Sequence, residues 1–294
     1  MNWFEAVLLG VVEGVTEFLP ISSTGHLTVT EKLLGLSIAA SDVTAFTAII
    51  QVGAIAAAIV YFRRDIARLV AAWCGGLFQA ERRRSTDYRL AWAVIVGSIP
   101  IGLVGLAAED FIETTLRSLW VVAGALVAWS LVMWLADRRA GQAAVEPAGA
   151  RALPAQTGPR GEQSLTVVDG LIIGLCQCLA LVPGVSRSGA TISAALLRGI
   201  DRTTATRWSF FLGIPALTAS GVLQAVKAAD DISAGVGWAA TGVATAVSFA
   251  VAYLSIAWLL KFVASNRFTA FIVYRVLAGL ILAGLILTNL VSAV

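Results

Sequence analysis

The sequence predicts an all-α polytopic membrane protein with about six full transmembrane helices, two re-entrant broken-helix hairpins and an inverted-topology repeat. Three observations predict this fold class. First, 58% of the 294 residues are hydrophobic and 13% are charged, whereas ordinary soluble domains are roughly 25% charged. Second, apolar runs of spanning length, on the order of 20 residues, recur along the chain. Third, two apolar regions are interrupted by Gly, Pro and Ser and align with each other.

The six predicted spans account for most of the chain. They cover residues 42–62, 89–108, 118–136, 205–226, 235–260 and 269–292. The connections 63–89 and 137–165 are arginine-rich, whereas the turn 109–117 is acidic. Because cytoplasmic connections carry an excess of Lys and Arg, we expect both arginine-rich connections in the cytoplasm and both termini outside. Residues 1–294 are predicted to form a single integral membrane domain with a mobile connection over 137–165.

The two interrupted regions predict an internal repeat. With a shift of 164 positions, GVVEGVTEFLPISSTGH (10–26) aligns without a gap with GLCQCLALVPGVSRSGA (174–190). Both copies have the order helix, Gly/Pro break, Ser-rich turn and helix, which is typical of repeats built on interrupted helices. Three spans separate the copies, so repeat 1 (about 1–62) and repeat 2 (about 166–226) are predicted to be inverted. Since irregular backbone in a bilayer must be buried or line a wet cavity, the two tips should line one polar pocket.

Two carboxylates precede the first break. Glu13 and Glu17 are four residues apart and therefore share one helix face, and no Lys or Arg lies within one helical turn of either. Two adjacent carboxylates in a low dielectric need a shared proton, a nearby cation or a divalent metal. Carboxylate oxygens suit Mg²⁺ or Ca²⁺. We therefore predict that Glu13 and Glu17 are catalytic and bind a divalent cation.

Hydroxyl residues and the only histidine of the chain follow the first break. Ser22, Ser23 and Thr24 stand in a row, and His26 comes two residues later. One hydroxyl can cap the next helix, but a serine within reach of an imidazole is also the minimal activated nucleophile. We predict catalytic roles for Ser23 and His26 and substrate-binding roles for Ser22 and Thr24.

The second tip, PGVSRSGAT (183–191), supplies a cation. The guanidinium of Arg187 can bind two phosphate oxygens through parallel charge-assisted hydrogen bonds. Ser186, Ser188 and Thr191 offer hydroxyl donors, and we predict that they bind substrate while Arg187 is catalytic. Alternatively, Arg187 pairs structurally with Glu13 or Glu17. The combined set suits phosphoryl transfer, and a substrate within a membrane would be a lipid with a phosphorylated head.

The two motifs resemble those of a known family. EGVTEFLPISSTGH fits the pattern E-x-x-x-E followed by P-x-S-S-T-G-H, and PGVSRSGAT fits P-G-x-S-R-S-G-A-T; together they resemble the BacA/UppP family of bacterial undecaprenyl-diphosphate phosphatases. The resemblance extends along essentially the whole chain. By motif position it implies functional roles for Glu13, Glu17, Ser23, His26, Ser186, Arg187 and Thr191.

The resemblance also implies an activity. It implies a multi-pass enzyme of the bacterial inner membrane that hydrolyses undecaprenyl diphosphate to undecaprenyl phosphate and inorganic phosphate. That reaction recycles the lipid carrier of cell-wall synthesis and is associated with bacitracin resistance. It further implies dependence on a divalent metal and a site open to the periplasm. Nothing in the sequence suggests nucleic acid as a partner, and a homodimer is left open.

Several alternatives stay open at the level of sequence. The nucleophile is either Ser23, deprotonated by His26 or a glutamate, or a metal-bound water. A transporter or flippase of a polyprenyl phosphate would also use inverted repeats of broken helices. An acid-phosphatase-like lipid phosphatase needs two histidines, and this chain has one.

Other polar and aromatic residues are assigned to the membrane interface or to packing. Arg275 is expected to extend its guanidinium to an interface. Trp3, Trp92, Trp120 and Trp208 are expected to be interface anchors, and Arg198, Arg202 and Arg207 to be cytoplasmic topology charges. The free cysteines Cys176 and Cys178 are expected to be packing residues.

Overall fold

The structure, a computed structural model, describes residues 1–37, 40–108, 111, 116, 118–143 and 159–293. Within these ranges the chain forms α-helices and short 3-10 turns and no β-strand, apart from an isolated bridge between Arg160 and Ile200. The helices of eleven or more residues in these ranges are α1 Trp3–Thr16, α2 Ser23–Leu33, α3 Ser41–Tyr61, α4 Arg63–Phe78, α5 Thr86–Ala107, α6 Leu119–Ala143, α7 Val167–Gln177, α8 Arg187–Leu197, α9 Arg202–Ala234, α10 Trp238–Ser265 and α11 Thr269–Leu287.

The helical, polytopic fold class is confirmed. Five helices are long and apolar enough to cross a membrane, namely α3, α5, α6 over Leu119–Gly141, α10 and α11. Each agrees with a predicted span to within a few residues. The sixth predicted span, 205–226, lies inside α9, which continues for 33 residues and contains Pro215. The acidic turn residues Glu109, Asp110 and Glu113 lie outside the described residues.

One helix was absent from the sequence prediction. The segment expected to be a polar connection forms α4, followed by a 3-10 turn over Ala80–Arg84. Buried Leu69 and Gly76 mark the face of α4 that packs on the protein, whereas Phe78 is 87% exposed. The sequence prediction missed this helix because Arg63, Arg64 and Arg68 lie on one side of α4 and leave an apolar stripe on the other, while the other arginines of the segment follow Phe78. Similarly, α6 extends into the predicted mobile connection as far as Ala143, and residues 144–158 lie outside the described residues.

The two halves of the chain interlock through close helix contacts. Helix α1 packs on α10 so closely that a Cβ at Gly10 would lie 2.5 Å from the Ala244 carbonyl oxygen. In the same way α7 packs on α5, and a Cβ at Gly174 would collide with the Gly97 carbonyl. Gly10 and Gly174 are equivalent under the shift of 164. Each half therefore inserts its first helix against a long helix of the other half.

The two breaks have the same local geometry. Helix α1 ends at Thr16 and α2 begins at Ser23, while α7 ends at Gln177 and α8 begins at Arg187. The helix-capping residues Ser22 and Ser186 have φ of 78° and 75°, values that non-glycine residues seldom adopt. Each serine hydroxyl accepts a hydrogen bond from the backbone N–H three residues later. These paired features support the repeat alignment; the single-domain assignment and the repeat boundaries, 1–62 and 166–226, stay predictions.

Candidate active site

The two serine-rich tips contact each other directly. The Gly184 N–H donates to Ser22 Oγ at 3.2 Å, and the Ser188 hydroxyl donates to the Leu19 carbonyl oxygen at 3.0 Å. Arg187 Nη2 lies 3.1 Å from Glu17 Oε1. The predicted juxtaposition of Arg187 with the first tip is therefore present, and its predicted pairing with a glutamate is made with Glu17.

Glu17 accepts hydrogen bonds from both halves of the chain. Its Oε1 accepts from Arg187, and its Oε2 accepts from the Ser23 hydroxyl at 2.6 Å and from Gln51 Nε2 at 3.4 Å. The residue is 5% exposed, so these donors replace the water that an ionised carboxylate loses on burial. The Ser23 hydroxyl donates this short hydrogen bond directly to the Glu17 carboxylate, so Glu17 is in position to accept the Ser23 proton.

Glu13 is buried without such donors. It is completely inaccessible to solvent, and neither carboxylate oxygen accepts a hydrogen bond from the described residues. A carboxylate left in this state must gain a proton or a cation. Mg²⁺ is commonly bound by one or two carboxylates together with water and substrate phosphates. Glu13 and Glu17 therefore fit a divalent cation, although no group of three or more His, Cys, Asp and Glu with metal-site geometry occurs in the described part of the chain.

The hydroxyls of the second tip are bonded inside the protein. Thr191 Oγ1 lies 2.9 Å from the Arg187 carbonyl oxygen and 2.7 Å from Ser209 Oγ, and the Ser186 and Ser188 hydroxyls are 3.1 Å apart. Arg187 Nη1 donates to the Ser209 carbonyl at 3.1 Å. The three hydroxyls are thus bonded within the tip, and the Arg187 guanidinium is held by the Ser209 carbonyl and by Glu17. Their binding of a phosphate stays a prediction.

His26 is bonded away from Ser23. Its Nδ1 lies 2.7 Å from the Ser22 carbonyl oxygen and its Nε2 lies 2.6 Å from the hydroxyl of Tyr274. Of the two bases that the sequence left open for Ser23, the structure places Glu17, and not His26, in contact with the hydroxyl. Tyr274 was not predicted, and its position beside Arg275 in an apolar span was the only signal for it.

A hollow of about 260 Å³ lies beside the first tip, and Glu17, His26 and Arg187 are not among the residues that line it. Glu13, Ser23 and Thr24 line one part of it, and Gln51, Glu31 and Thr47 line another. The Thr47 hydroxyl donates to Glu31 Oε1 at 2.5 Å. Gln51 and Thr47 belong to α3, so polar residues within the predicted span 42–62 were the signal by which sequence reasoning could have found this wall.

Comparison with known proteins assigns the chain to a family. The family described as "Bacitracin resistance protein BacA" matches residues 6–281. The chain belongs to the BacA family. "Undecaprenyl-diphosphatase" of Cutibacterium acnes is 57% identical over 300 residues, and "Undecaprenyl-diphosphatase 3" of Frankia casuarinae is 57% identical over 293 residues. "Undecaprenyl-diphosphatase" of Acidothermus cellulolyticus is 50% identical over 294 residues. Each match covers 100% of this chain and 100% of the relative.

A further arginine joins the two tips of this BacA-family site. Arg275 is completely buried and donates to the Pro20 carbonyl at 3.2 Å, the Gly184 carbonyl at 2.8 Å and the Ser130 hydroxyl at 3.2 Å. The expectation that Arg275 reaches an interface was wrong. The broken tips leave carbonyl groups without helical partners, and a guanidinium with five donors can satisfy several of them at once.

Other assignments outside the BacA motifs are also corrected. Trp208 is 1% exposed and belongs to the hydrophobic core, so it is not an interface anchor, whereas Trp3 and Trp120 are 60% and 45% exposed. The three arginines expected to be cytoplasmic topology charges also form ion pairs, and their place relative to the membrane stays a prediction. Arg198 pairs with Asp169, Arg202 with Asp137 and Arg207 with Asp65. Cys176 packs against the hydrophobic core, as predicted.

Proposed function

We infer that this BacA-family chain hydrolyses undecaprenyl diphosphate to undecaprenyl phosphate and inorganic phosphate. Relatives that match over their full length carry the name undecaprenyl-diphosphatase, and this supports hydrolysis and not the flippase alternative. The observation that carries the inference is structural: Glu17 bonds Ser23 of one tip and Arg187 of the other. A potential nucleophile, a base and a phosphate-binding cation are thus in one cluster.

The reaction follows from these contacts. Arg187 binds oxygens of the terminal phosphate, which stabilises the charge that spreads over them in the transition state. Glu17 takes the proton of Ser23 as the Ser23 oxygen attacks the terminal phosphorus. The bond between this phosphorus and the bridging oxygen breaks, and undecaprenyl phosphate leaves. Water then attacks the phosphorus of the phosphoserine, the bond from phosphorus to the Ser23 oxygen breaks, Glu17 returns its proton to that oxygen, and inorganic phosphate is released. In the alternative route water attacks the terminal phosphorus directly and Ser23 only positions it.

Glu13 and Glu17 are the residues that would hold a divalent cation, Mg²⁺ or Ca²⁺. Support comes from the buried Glu13 carboxylate, which accepts no hydrogen bond from the described residues. When bound, such a cation neutralises negative charge on the phosphate oxygens. The phosphate groups of the substrate and water would complete its coordination.

We place the enzyme in the bacterial inner membrane with the hollow open to the periplasm. Five apolar helices of spanning length support a multi-pass membrane protein. The arginine-rich segment 63–89 supports the orientation because Arg and Lys are concentrated in cytoplasmic connections. A homodimer stays a prediction.

Phosphate release by purified protein in detergent tests the proposed function. With a C55 diphosphate we expect release by the wild type, loss of release with a chelator, and its return when Mg²⁺ or Ca²⁺ is added. Arg187→Ala and Glu17→Gln are each expected to lower kcat/KM by on the order of 10²–10⁴. Arg64→Ala, a change at an exposed arginine of α4, is the control and should retain full activity. If the purified wild type with added cation releases no phosphate, hydrolysis is contradicted. A carrier would give this result, because transport needs two compartments, whereas an enzyme releases phosphate in detergent.

A further inference from the structure

We propose that Tyr274 is a positioning residue of this site, which holds the His26 imidazole in one orientation by donating to Nε2 of the tautomer that is protonated at Nδ1. The contact joins residues 248 positions apart: Tyr274 Oη lies 2.6 Å from His26 Nε2. The two rings are also stacked, with centroids 5.5 Å apart and planes inclined by 13°. The kinetic part of this proposal rests on the proposed function, and the part about the tautomer does not.

The tautomer follows from the partner of the other ring nitrogen. His26 Nδ1 lies 2.7 Å from the Ser22 carbonyl oxygen. A carbonyl oxygen only accepts hydrogen bonds, so Nδ1 must carry the proton. In the neutral imidazole Nε2 then has a free electron pair, and the Tyr274 hydroxyl donates to it. Neither ring nitrogen contacts a carboxylate that would stabilise a second proton.

The position of Tyr274 is fixed by its neighbour in sequence. Arg275 binds the Pro20 carbonyl of the first tip and the Gly184 carbonyl of the second. This anchors α11 to both tips, so the adjacent Tyr274 is held at a constant distance from His26. The tyrosine is 45% exposed, and it therefore stands between the imidazole and the surroundings of the protein.

This arrangement divides the polar groups of the first tip into two units. Ser23 is bonded to Glu17, whereas His26 is bonded to Ser22 and Tyr274. A group that approaches Nε2 must either displace the Tyr274 hydroxyl or exchange a proton through it. Tyr274 thus controls access to the only ring nitrogen of His26 that is not already bonded to the backbone.

Nuclear magnetic resonance can test the tautomer directly, because His26 is the only histidine in the chain. In protein labelled with ¹⁵N-histidine, we expect a protonated Nδ1 and an unprotonated, hydrogen-bonded Nε2. Tyr274→Phe should shift the Nε2 resonance, because this nitrogen loses its hydrogen bond, while Nδ1 stays protonated beside the Ser22 carbonyl. Tyr253→Phe is the control, because the Tyr253 ring packs on Tyr61 at 5.3 Å, and its spectrum should match the wild type. A protonated Nε2 in the wild type, or an unchanged spectrum in Tyr274→Phe, would overturn the proposal.

Kinetics of the same variants test the consequence for catalysis. We expect Tyr274→Phe to lower kcat about tenfold, the size of effect expected when one hydrogen bond that orients a side chain of the site is lost. The thermal unfolding midpoint of Tyr274→Phe should stay equal to that of Tyr253→Phe, which excludes a purely structural effect. An unchanged kcat in Tyr274→Phe would contradict a role in catalysis. If the protein releases no phosphate at all, the proposed function is wrong. The resonance measurement would still show whether the Tyr274 hydroxyl donates to His26 Nε2.

Discussion

At the scale of single residues, the hydrogen-bond partners of a buried polar group distinguish it from other buried groups of the same type. Glu17 and Glu13 are both buried, but Glu17 accepts from three side chains and Glu13 from none of the described residues. Glu17 is therefore already bonded to Ser23 and Arg187, whereas the Glu13 oxygens have no hydrogen-bond partner among the described residues. Residues of the same type, one helical turn apart, thus have different surroundings.

The contact between Ser23 and Glu17 predicts a covalent intermediate. A reaction quenched during turnover should contain phosphate on Ser23, which mass spectrometry of the digested protein detects. Ser23→Ala should lose activity by on the order of 10³-fold or more and should carry no phosphate.

Thr28→Ala is a suitable control for the Ser23 variant, because Thr28 also lines the hollow and its hydroxyl donates to the Thr24 carbonyl of its own helix. This variant should keep most of the activity and the phosphoserine. Full activity in Ser23→Ala would rule out the covalent route and favour direct attack by water.

At the scale of helices and turns, the two repeats share a backbone conformation but carry different functional side chains. Ser22 and Ser186 share an uncommon backbone conformation and the same capping role. The next residue is Ser23 in one copy and Arg187 in the other, which places a hydroxyl and a guanidinium at equivalent positions. Glu13 likewise corresponds to Gln177, which is also fully buried. Two similar turns thus contribute complementary groups to one site.

The bonds made by Arg275 predict that it stabilises both turns. Arg275→Ala would leave the Pro20 and Gly184 carbonyls without their donor, and we expect the free energy of unfolding to fall by about 3 kcal/mol or more. Thermal unfolding in detergent measures this as a lower midpoint. The unfolding midpoint of Arg275→Lys should lie between those of the wild type and Arg275→Ala, since one ammonium group cannot reproduce the planar fork of a guanidinium. An unchanged midpoint in Arg275→Ala would show that the tips hold together without it.

The contact between α1 and α10 predicts opposite effects for two glycine substitutions. Gly10→Ala should lower stability by about 1–3 kcal/mol, because the new Cβ would press on the Ala244 carbonyl. Gly242→Ala in α10 meets nothing within 4 Å and should stabilise by about 0.5–1 kcal/mol through helix propensity. Thermal unfolding of both variants checks the difference. Equal effects would mean that the close approach of α1 and α10 is not needed.

At the scale of the whole molecule, ion pairs collect on the side predicted to be cytoplasmic. Arg68 lies within 2.7 Å of Asp87 and 2.9 Å of Glu162, and Asp169 binds both Arg160 and Arg198. The hydrogen bonds that Arg160 donates to the Asp169 carboxylate raise the pKa of its guanidinium above its ordinary value. The positive charges of this side therefore also fasten the loops and helix ends to one another.

Cysteine labelling tests the predicted orientation of the whole molecule. Cys74 is exposed on α4, so in a Cys176→Ala/Cys178→Ala background an impermeant maleimide should label it only after the cells are opened. In the same background with Cys74→Ala, a cysteine placed by Ser37→Cys should be labelled in intact spheroplasts. The opposite result for the two positions would invert the orientation and place the hollow on the cytoplasmic side.

The sequence by itself determined the helical membrane class, five of the spans, both broken regions and the motifs whose residues Glu17, Ser23 and Arg187 contact one another. These features depend on local properties, because hydropathy, helix periodicity and Gly/Pro breaks are set by residues close together in the chain. The amphipathic helix α4 was missed because its charges dominated the composition of the segment.

Only the tertiary structure decided which of these groups contact each other. Ser23 bonds Glu17 and His26 bonds Tyr274, while Arg275 is buried between the tips. No local pattern distinguishes a buried arginine from one that extends to the interface, because the difference depends on carbonyl groups 91 and 255 residues away. Which charges and hydrogen-bond donors become partners in a low dielectric depends on how the helices pack. The packing therefore determines which polar residues of the sequence can act together.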